Sequence, residues 1–230
     1  MIPMIMAGKT TPEHLKITNS VLDGFSHLEL QLETKHLDNI GVAKENIQTA
    51  IDELEKMNKP LTIVSMHTPH FHNGQEEYLK KTLDLSRHFN AYAIFHSNQL
   101  TIEETLDIAK RHADDRLILE NKTNMDLQSI VHNILPHHNM ALDIAHLYRG
   151  SQNIYHDLEI LITTYKKKIK IIHLNDATKE KDGLPIGDGV IDFPTIMNIL
   201  KKTGYKEPVI IETPPDTQLE SREKIEKLTM

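Results

Sequence analysis

Eight short segments rich in β-branched and aliphatic residues recur along the chain, separated by longer stretches with helical periodicity. The predicted strands are residues 2–7, 26–32, 61–66, 91–96, 116–120, 140–143, 169–174 and 208–212. Between them, apolar residues spaced by three and four positions predict helices, for example over 42–57, 76–89 and 155–167. Strands that alternate with helices usually pair in parallel through right-handed crossovers. The pattern therefore predicts an α/β protein.

The number of predicted strands narrows the choice of architecture. Eight strands alternating with helices can close into a (β/α)8 barrel, and such barrels typically take about 250 residues. The chain has 230 residues, and no linker, repeat or block of charge divides it. We therefore predict a compact (β/α)8 TIM barrel, a single domain over residues 1–230. An open doubly wound sheet is the alternative.

Two predicted helices carry clear boundary signals. Thr101 precedes a helical segment and Glu104 follows three residues later, which is the pattern of a capping box. Asp192 and Pro194 mark the start of another helix, and Gly204 marks its end. These signals predict the ends of two helices to within a residue or two.

Composition excludes several classes of function. A formal net charge of −7 disfavours nucleic acid as an electrostatic partner. The sequence has no Cys, which excludes disulfides, thiolate ligands and a cysteine nucleophile. No apolar run approaches the roughly 20 residues of a membrane span, and the first residues lack a positively charged flank. We therefore expect a cytoplasmic protein without a membrane partner.

Residues that can bind metals or transfer protons lie at the ends of six consecutive predicted strands. In chain order they are His67, His96, Glu120, Asp143, His173 and Glu212. In a (β/α)8 barrel the C-terminal ends of the strands surround a common site. Each residue alone is more often structural, but buried carboxylates that lie close together repel one another unless a cation is present. The combination predicts a divalent metal site.

The donor types limit the metal without selecting one. Glu120, Asp143, His173 and Glu212 offer three oxygens and one nitrogen, a set that suits Mn²⁺, Zn²⁺, Co²⁺ or Mg²⁺. His67 and His96 would add nitrogen donors and would favour Zn²⁺ if they also bind. His146 follows Asp143 by three residues, close enough to touch the same ligand or substrate. His70 is a further candidate for substrate binding.

Five segments carry a resemblance to a known superfamily. They are "LILEN", "MALDIAH", "IIHLND", "LPIGDGVIDF" and "PVIIET". Their order and their positions at strand ends resemble the xylose isomerase-like TIM barrels, which include sugar isomerases, ketose 3-epimerases, inosose-processing enzymes and endonuclease IV. The resemblance runs from about residue 26 to residue 213 and is strongest after residue 116.

The resemblance implies roles for individual residues. In the ketose epimerases, the residues matching Glu120 and Glu212 are metal ligands and also the acid/base pair. Those matching Asp143 and His173 are ligands, and the one matching His146 contacts substrate. In endonuclease IV, the same four ligand positions hold one zinc, while the positions of His67 and His96 bind a second zinc that Glu120 would bridge.

The sequence departs from both branches of the superfamily. The third zinc site of endonuclease IV uses an Asp-x-His pair after the seventh strand, but residues 175–189 contain no His. This departure argues against phosphodiester cleavage. Some ketose epimerases bind substrate through an Arg after the seventh strand, and here Lys179 and Lys181 are the nearby cations instead.

These observations predict a divalent-metal-dependent isomerase or epimerase of a sugar or sugar phosphate. It would act through a metal-stabilised enediolate, with Glu120 and Glu212 as acid and base. The alternative is an endonuclease IV-like, zinc-dependent nuclease or phosphoesterase with an incomplete third metal site. A barrel that has lost its chemistry and serves as a binding module is a third reading. The expected partner is a small carbohydrate, nucleic acid is not expected, and a homo-oligomer is an open alternative.

Overall fold

The computed structural model describes residues 5–16, 24–123 and 125–229, and its eight strands form a closed barrel in the order β1 to β8. The pairs of strands described are parallel. The fold is a (β/α)8 TIM barrel, which confirms the predicted fold class. The strands are β1 Met6–Thr10, β2 His27–Gln31, β3 Thr62–His67, β4 Tyr92–Phe95, β5 Leu117–Glu120, β6 Asn139–Asp143, β7 Ile169–Leu174 and β8 Val209–Ile211.

Helices alternate with the strands along the described chain. They are α1 Thr34–Leu37, α2 Ile40–Lys56, α3 Glu77–His88, α4 Ile102–Arg111, α5 Leu127–Ser129, α6 Ile144–Gly150, α7 Ile154–Tyr165, α8 Phe193–Thr203 and α9 Gln218–Thr229. A π-helical turn, Ile130–Ile134, continues α5, and 3-10 turns lie at Pro12–Lys16 and Pro215–Thr217. Across the described residues, no helix combines the length and apolarity that crossing a lipid bilayer requires.

The predicted helix boundaries are confirmed. At the start of α4, the Thr101 hydroxyl accepts a hydrogen bond from the Glu104 amide (3.2 Å), and the Glu104 carboxylate accepts one from the Thr101 amide (2.8 Å). Asp192 caps α8 by accepting from the Thr195 amide. Gly204 ends α8 with a φ of 66°, a left-handed conformation that glycine adopts without a steric penalty.

The first strand lies further along the chain than predicted. Residues 2–4 of the predicted segment 2–7 lie outside the described residues, and β1 extends to Thr10. The predicted end at Ala7 was wrong because hydropathy falls at Gly8 and Lys9. Lys9 is compatible with a buried strand because its amine lies 3.1 Å from the carboxylate of Glu29 in β2.

Contacts between Cα positions group the chain into two units, residues 7–119 and residues 120–229 with Ile5 and Met6. In the first unit, aliphatic side chains such as Leu28, Leu30 and Ile94 are fully buried. Strands of parallel sheets are typically buried on both faces in this way. Glu29 is buried among them and accepts a hydrogen bond from Ser65 (2.7 Å). The prediction of a single domain over residues 1–230 stays a prediction.

The second unit holds the strand pairs that position the candidate site. In the parallel pair β6–β7, Asp143 lies directly opposite His173. In the pair β7–β8, Leu174 lies opposite Ile211, and the Glu212 amide donates to the Leu174 carbonyl (2.9 Å). This register brings the C-terminal ends of the three strands to the same level.

Candidate metal centre

Four of the predicted metal-binding side chains meet at the C-terminal ends of β5 to β8. One ligand atom from each residue lies within 4.8 Å of the corresponding atoms of the other three; the residues are Glu120, Asp143, His173 and Glu212. The first three are buried, whereas the Glu212 side chain is 24% exposed. The cluster is therefore enclosed on most sides and open at Glu212.

The imidazole of His173 lies between the two glutamates. Its Nδ1 atom is 2.9 Å from Glu120 Oε1 and 2.6 Å from Glu212 Oε2. Only one proton can sit on Nδ1, so in the absence of an ion it would be shared between the two carboxylates. His173 Nδ1 and these two carboxylate oxygens converge, as the ligand atoms around a cation do.

Asp143 is held from several sides. Its Oδ1 accepts a hydrogen bond from the His146 amide (2.7 Å), which makes Asp143 the N-cap of α6. Its Oδ2 accepts from the Asn175 side chain (2.8 Å). The side chain of Asn121 also holds the backbone of Asp143. Its Nδ2 donates to the Asp143 carbonyl (3.0 Å), and its Oδ1 accepts from the Asp143 N–H (2.8 Å). A buried strand thus ends in a carboxylate whose direction is fixed.

The electrostatics of the cluster favour a cation. Burial raises the pKa of Asp143, and the negative charges of Glu212 and Glu120 raise it further. Burial alone would lower the pKa of His146, but the charges of Asp143, Glu120 and Glu212 and a hydrogen bond to the Asn121 backbone together outweigh that effect and raise it. Three carboxylates with so little solvent around them carry a negative charge that a dication would offset.

The donor geometry also fits a divalent ion. Metal–ligand distances for such ions are about 2.0–2.3 Å, so two ligands on opposite sides of one ion stand about 4.0–4.6 Å apart. All four donor atoms lie within 4.8 Å of one another, which is close to that range. Three oxygens and one nitrogen do not distinguish Mn²⁺, Zn²⁺, Co²⁺ and Mg²⁺.

A family model described as a xylose isomerase-like TIM barrel matches residues 11–229, nearly the whole chain. The chain belongs to this family. The resemblance inferred from the strand-end motifs is thereby confirmed. No curated protein sequence matches the chain significantly.

Several solved structures share the fold at low sequence identity. A D-tagatose 3-epimerase-like protein has a TM-score of 0.70 at 19% identity, covering 98% of this chain and 97% of its own. An AP endonuclease of family 2 from Brucella melitensis has a TM-score of 0.63 at 14% identity, with 95% and 96% covered. The IOLI protein with a bound zinc atom has a TM-score of 0.60 at 17% identity, with 98% and 96% covered.

In this member of the xylose isomerase-like family, three histidines gather near the C-terminal ends of β3 and β4. The ring centroids lie 5.9 Å apart for His67 and His96, 5.5 Å for His70 and His96, and 6.3 Å for His67 and His70. His67 and His96 are buried, and His70 is exposed. His67 Nδ1 lies 2.9 Å from the Thr68 carbonyl. The structure brings the three together, and their roles in a second metal site and in substrate binding stay predictions.

The remaining predicted substrate-binding residues lie around α6 and the segment after β7. His146 Nδ1 is 2.8 Å from the Asn121 carbonyl and 3.9 Å from Asp143 Oδ1, so the imidazole borders the cluster. The Lys179 amine donates to the Tyr148 carbonyl (3.0 Å) and lies 4.3 Å from the centre of the Tyr148 ring. Lys181 is exposed. Their contact with substrate stays a prediction.

Sequence reasoning missed the residues that support the cluster. Asn121 directly follows Glu120 in "LEN", and Asn175 follows His173 by two residues in "HLN". This proximity to candidate ligands was the sequence signal that could have identified them. The carboxylate of Asp176, which follows the seventh strand, points away from the cluster. It accepts hydrogen bonds from backbone amides of the segment that follows; these are Ala177 (2.8 Å), Gly187 (2.9 Å), Gly189 (3.0 Å) and Ile191 (3.1 Å). Asp176 therefore organises the segment after β7.

Proposed function

We propose that the protein is a divalent-metal-dependent isomerase or epimerase of a sugar or sugar phosphate. The observation that carries this proposal is the pair Glu120 and Glu212, which flank one imidazole inside a four-donor cluster. Membership of the xylose isomerase-like family supports it. So does the fold shared with a protein described as D-tagatose 3-epimerase-like.

Glu120, Asp143, His173 and Glu212 would hold one divalent ion. When bound, the ion would polarise the carbonyl and hydroxyl oxygens of an open-chain sugar and stabilise the negative charge that forms when a neighbouring carbon loses its proton. A small carbohydrate is a substrate class that suits this chemistry, and a neighbouring structure of a D-allulose 3-epimerase in complex with D-allulose supports that choice. The zinc named for the IOLI protein supports a metal of this kind.

The two glutamates would move the proton. One carboxylate removes a proton from the carbon beside the carbonyl, and the other returns a proton to the opposite face, which inverts that carbon. Return of the proton to the adjacent carbon gives the isomer instead. Glu212 is the more exposed of the two, so its proton would exchange with water more readily than that of Glu120. His146, beside Asp143, would bind a substrate hydroxyl.

The test is exchange of a carbon-bound proton in D₂O. The enzyme, loaded with Mn²⁺, is incubated with a panel of aldoses, ketoses and their phosphates, and deuterium uptake beside the carbonyl is followed by NMR. We expect uptake with at least one sugar. Glu212→Gln should reduce its rate by about 10²-fold or more, because it removes a proton carrier and a ligand charge together.

Metal content separates the two effects of the Glu212 variant. Exchange rates are divided by the metal bound per chain, and Asp52→Asn on the exposed side of α2 serves as a control that keeps the cluster intact. Near-normal exchange in Glu212→Gln would remove Glu212 from the mechanism. Less than one equivalent of metal in the wild type, even after reconstitution, would favour the binding-module alternative.

A second candidate, a zinc-dependent nuclease or phosphoesterase, is favoured by the cluster of His67, His70 and His96 and by the fold shared with an AP endonuclease. Against it stand the net charge of −7 and the absence of His from residues 175–189. Incubation of the Zn²⁺-loaded protein with a duplex containing an abasic site tests it directly. We expect no cleavage, and cleavage that is lost in His67→Ala and His96→Ala would favour the nuclease.

A further inference from the structure

Asn175 connects the candidate metal centre to the segment that follows β7, residues 176–191. The residue is 3% exposed. Its side-chain Nδ2 donates to Asp143 Oδ2 (2.8 Å), and its Oδ1 accepts from the Gly183 amide (2.9 Å). One planar amide therefore touches a candidate ligand on one side and the backbone of the segment on the other.

The contact with Asp143 determines which way that carboxylate can face. Oδ2 receives the Asn175 amide, and Oδ1 receives the N–H of His146. With one donor on each oxygen, rotation of the carboxylate about its last bond would break both hydrogen bonds. Partners of metal-binding side chains commonly act in this way, by orienting the ligand and tuning its basicity.

The segment 176–191 is anchored independently of Asn175. Asp182 pairs with the guanidinium of Arg149 in α6, and Thr123 lies 3.5 Å from the same carboxylate oxygen. Asp176 binds four backbone amides of the segment. Gly189 approaches so closely that a Cβ atom there would lie 2.3 Å from Asp176 Oδ1. The segment should therefore move as a unit, and a shift of that unit would carry the Gly183 amide with it.

These contacts form a closed ring. It runs from Asp143 through Asn175 to Gly183, across the pair of Asp182 with Arg149, and back along α6 to the N-cap at Asp143. Within this ring, the side chain of Asn175 links the candidate ligand Asp143 to the backbone of Gly183, with one hydrogen bond to each.

We propose that Asn175 is a positioning residue that holds Asp143 in its ligand orientation and makes metal affinity depend on the conformation of residues 176–191. The proposal rests on the metal site of the proposed function but not on the reaction catalysed there. It predicts that metal binding orders the segment, and that loss of the Asn175 amide uncouples the two.

Three measurements on the intact 230-residue chain test the proposal with Co²⁺ as the probe. The first is the Co²⁺ dissociation constant from chelator competition, and the second is the visible absorption spectrum of bound Co²⁺. The third is the rate of trypsin cleavage after Lys179 and Lys181, with and without Co²⁺. In the wild type, we expect Co²⁺ to slow this cleavage.

Asn175→Ala should weaken Co²⁺ binding by about 10–100-fold, the usual effect of losing such a partner. It should also alter the Co²⁺ spectrum and remove the protection by Co²⁺. Asp182→Ala is the matched control, because it breaks the contact with Arg149 but leaves Asn175 in place. It should speed cleavage of the metal-free protein and weaken Co²⁺ binding less than Asn175→Ala does, because coupling between two sites is reciprocal, while the Co²⁺ spectrum stays close to that of the wild type. Asn175→Leu, of similar shape, replaces Asn175→Ala if circular dichroism shows that the alanine variant does not fold.

Wild-type affinity and spectrum in both Asn175 variants would overturn the positioning role. An equal loss of affinity in Asp182→Ala, with an unchanged spectrum in Asn175→Ala, would assign the effect to the segment and not to Asn175. Absence of protection by Co²⁺ in the wild type would overturn the coupling. A wild type that binds no Co²⁺ would overturn the proposed function and this inference with it, whereas a Co²⁺-binding wild type without sugar exchange would overturn the proposed function alone.

Discussion

Glu29 illustrates, at the scale of single residues, how this fold accommodates buried charge. Its side chain has no exposed surface, and it pairs with Lys9 of β1, whose side chain is only 12% exposed. Ser65 of β3 donates to the same carboxylate. A buried ion pair adds little net stability, but removal of one partner leaves a charge that has lost its compensation. These contacts give Glu29 a structural role in the barrel wall.

Lys9→Met should therefore destabilise the protein by about 3–5 kcal/mol, because the Glu29 carboxylate loses its ion-pair partner. Urea unfolding at neutral pH measures the change in the free energy of unfolding. The double variant Lys9→Met with Glu29→Gln should regain a large part of the loss, since the unpaired charge is then removed as well. A loss below about 1 kcal/mol in the single variant would place the pair among ordinary surface ion pairs.

At the scale of elements, ion pairs between side chains join one turn or helix to another. The turn Pro12–Lys16 is tied to α1 by Glu13, whose carboxylate lies 2.5 Å from His36 Nε2 and 3.0 Å from Lys35 Nζ. Burial is the largest single effect on Glu13 and acts to raise its pKa. The hydrogen bonds from His36 and Lys35, a backbone hydrogen bond and the charge of His36 together outweigh it and lower the pKa from 4.5 to about 2.

This lowered pKa predicts how the contact depends on pH. A carboxyl group with a lower pKa in the folded state stabilises the fold above its ordinary pKa, and the stabilisation is lost as pH falls from 4.5 toward 2. Glu13→Gln should be less stable than the wild type at pH 6, by less than about 1 kcal/mol because the side chain is half exposed. The difference should shrink in urea unfolding at pH 4 and again at pH 3. A difference that grows as pH falls would contradict the assignment.

At the scale of the whole molecule, the carboxylates of the candidate metal centre oppose folding unless a cation offsets their charge. Divalent metal should therefore stabilise the protein. At a free metal concentration 100 times the dissociation constant, the gain is about 2.7 kcal/mol, or roughly 5–10 °C in Tm for a chain of this size.

Thermal unfolding with increasing Mn²⁺ or Zn²⁺ measures this stabilisation. Asp143→Asn should abolish most of the shift in Tm, because it removes a ligand charge while it keeps nearly the same shape. Asp52→Asn is the control, because Asp52 is an exposed residue of α2 and not a candidate ligand. Its Tm should rise with added metal as the Tm of the wild type does. An equal shift in Asp143→Asn would mean that the metal binds elsewhere, and Asp143 would then lose its proposed role as a ligand.

The sequence alone determined the features that depend on residues close together in the chain. The alternation of strands and helices, the capping box of Thr101 and Glu104 and the end of α8 at Gly204 each follow from residues within a few positions of one another. The appearance of acidic and imidazole residues at strand ends was likewise visible, and together with the family motifs it indicated where donors would meet.

Only the tertiary structure decided which atoms meet and what supports them. Asp143 faces His173 because β6 and β7 pair in one register, and a shift by a single residue would turn one of the two side chains to the other face. The carboxylate of Asp176, three residues after His173, binds backbone amides 11 to 15 positions further along the chain. Asn175 supports Asp143 across 32 positions. Such contacts depend on how distant segments pack, and a residue's type and its neighbours in sequence do not encode those distances.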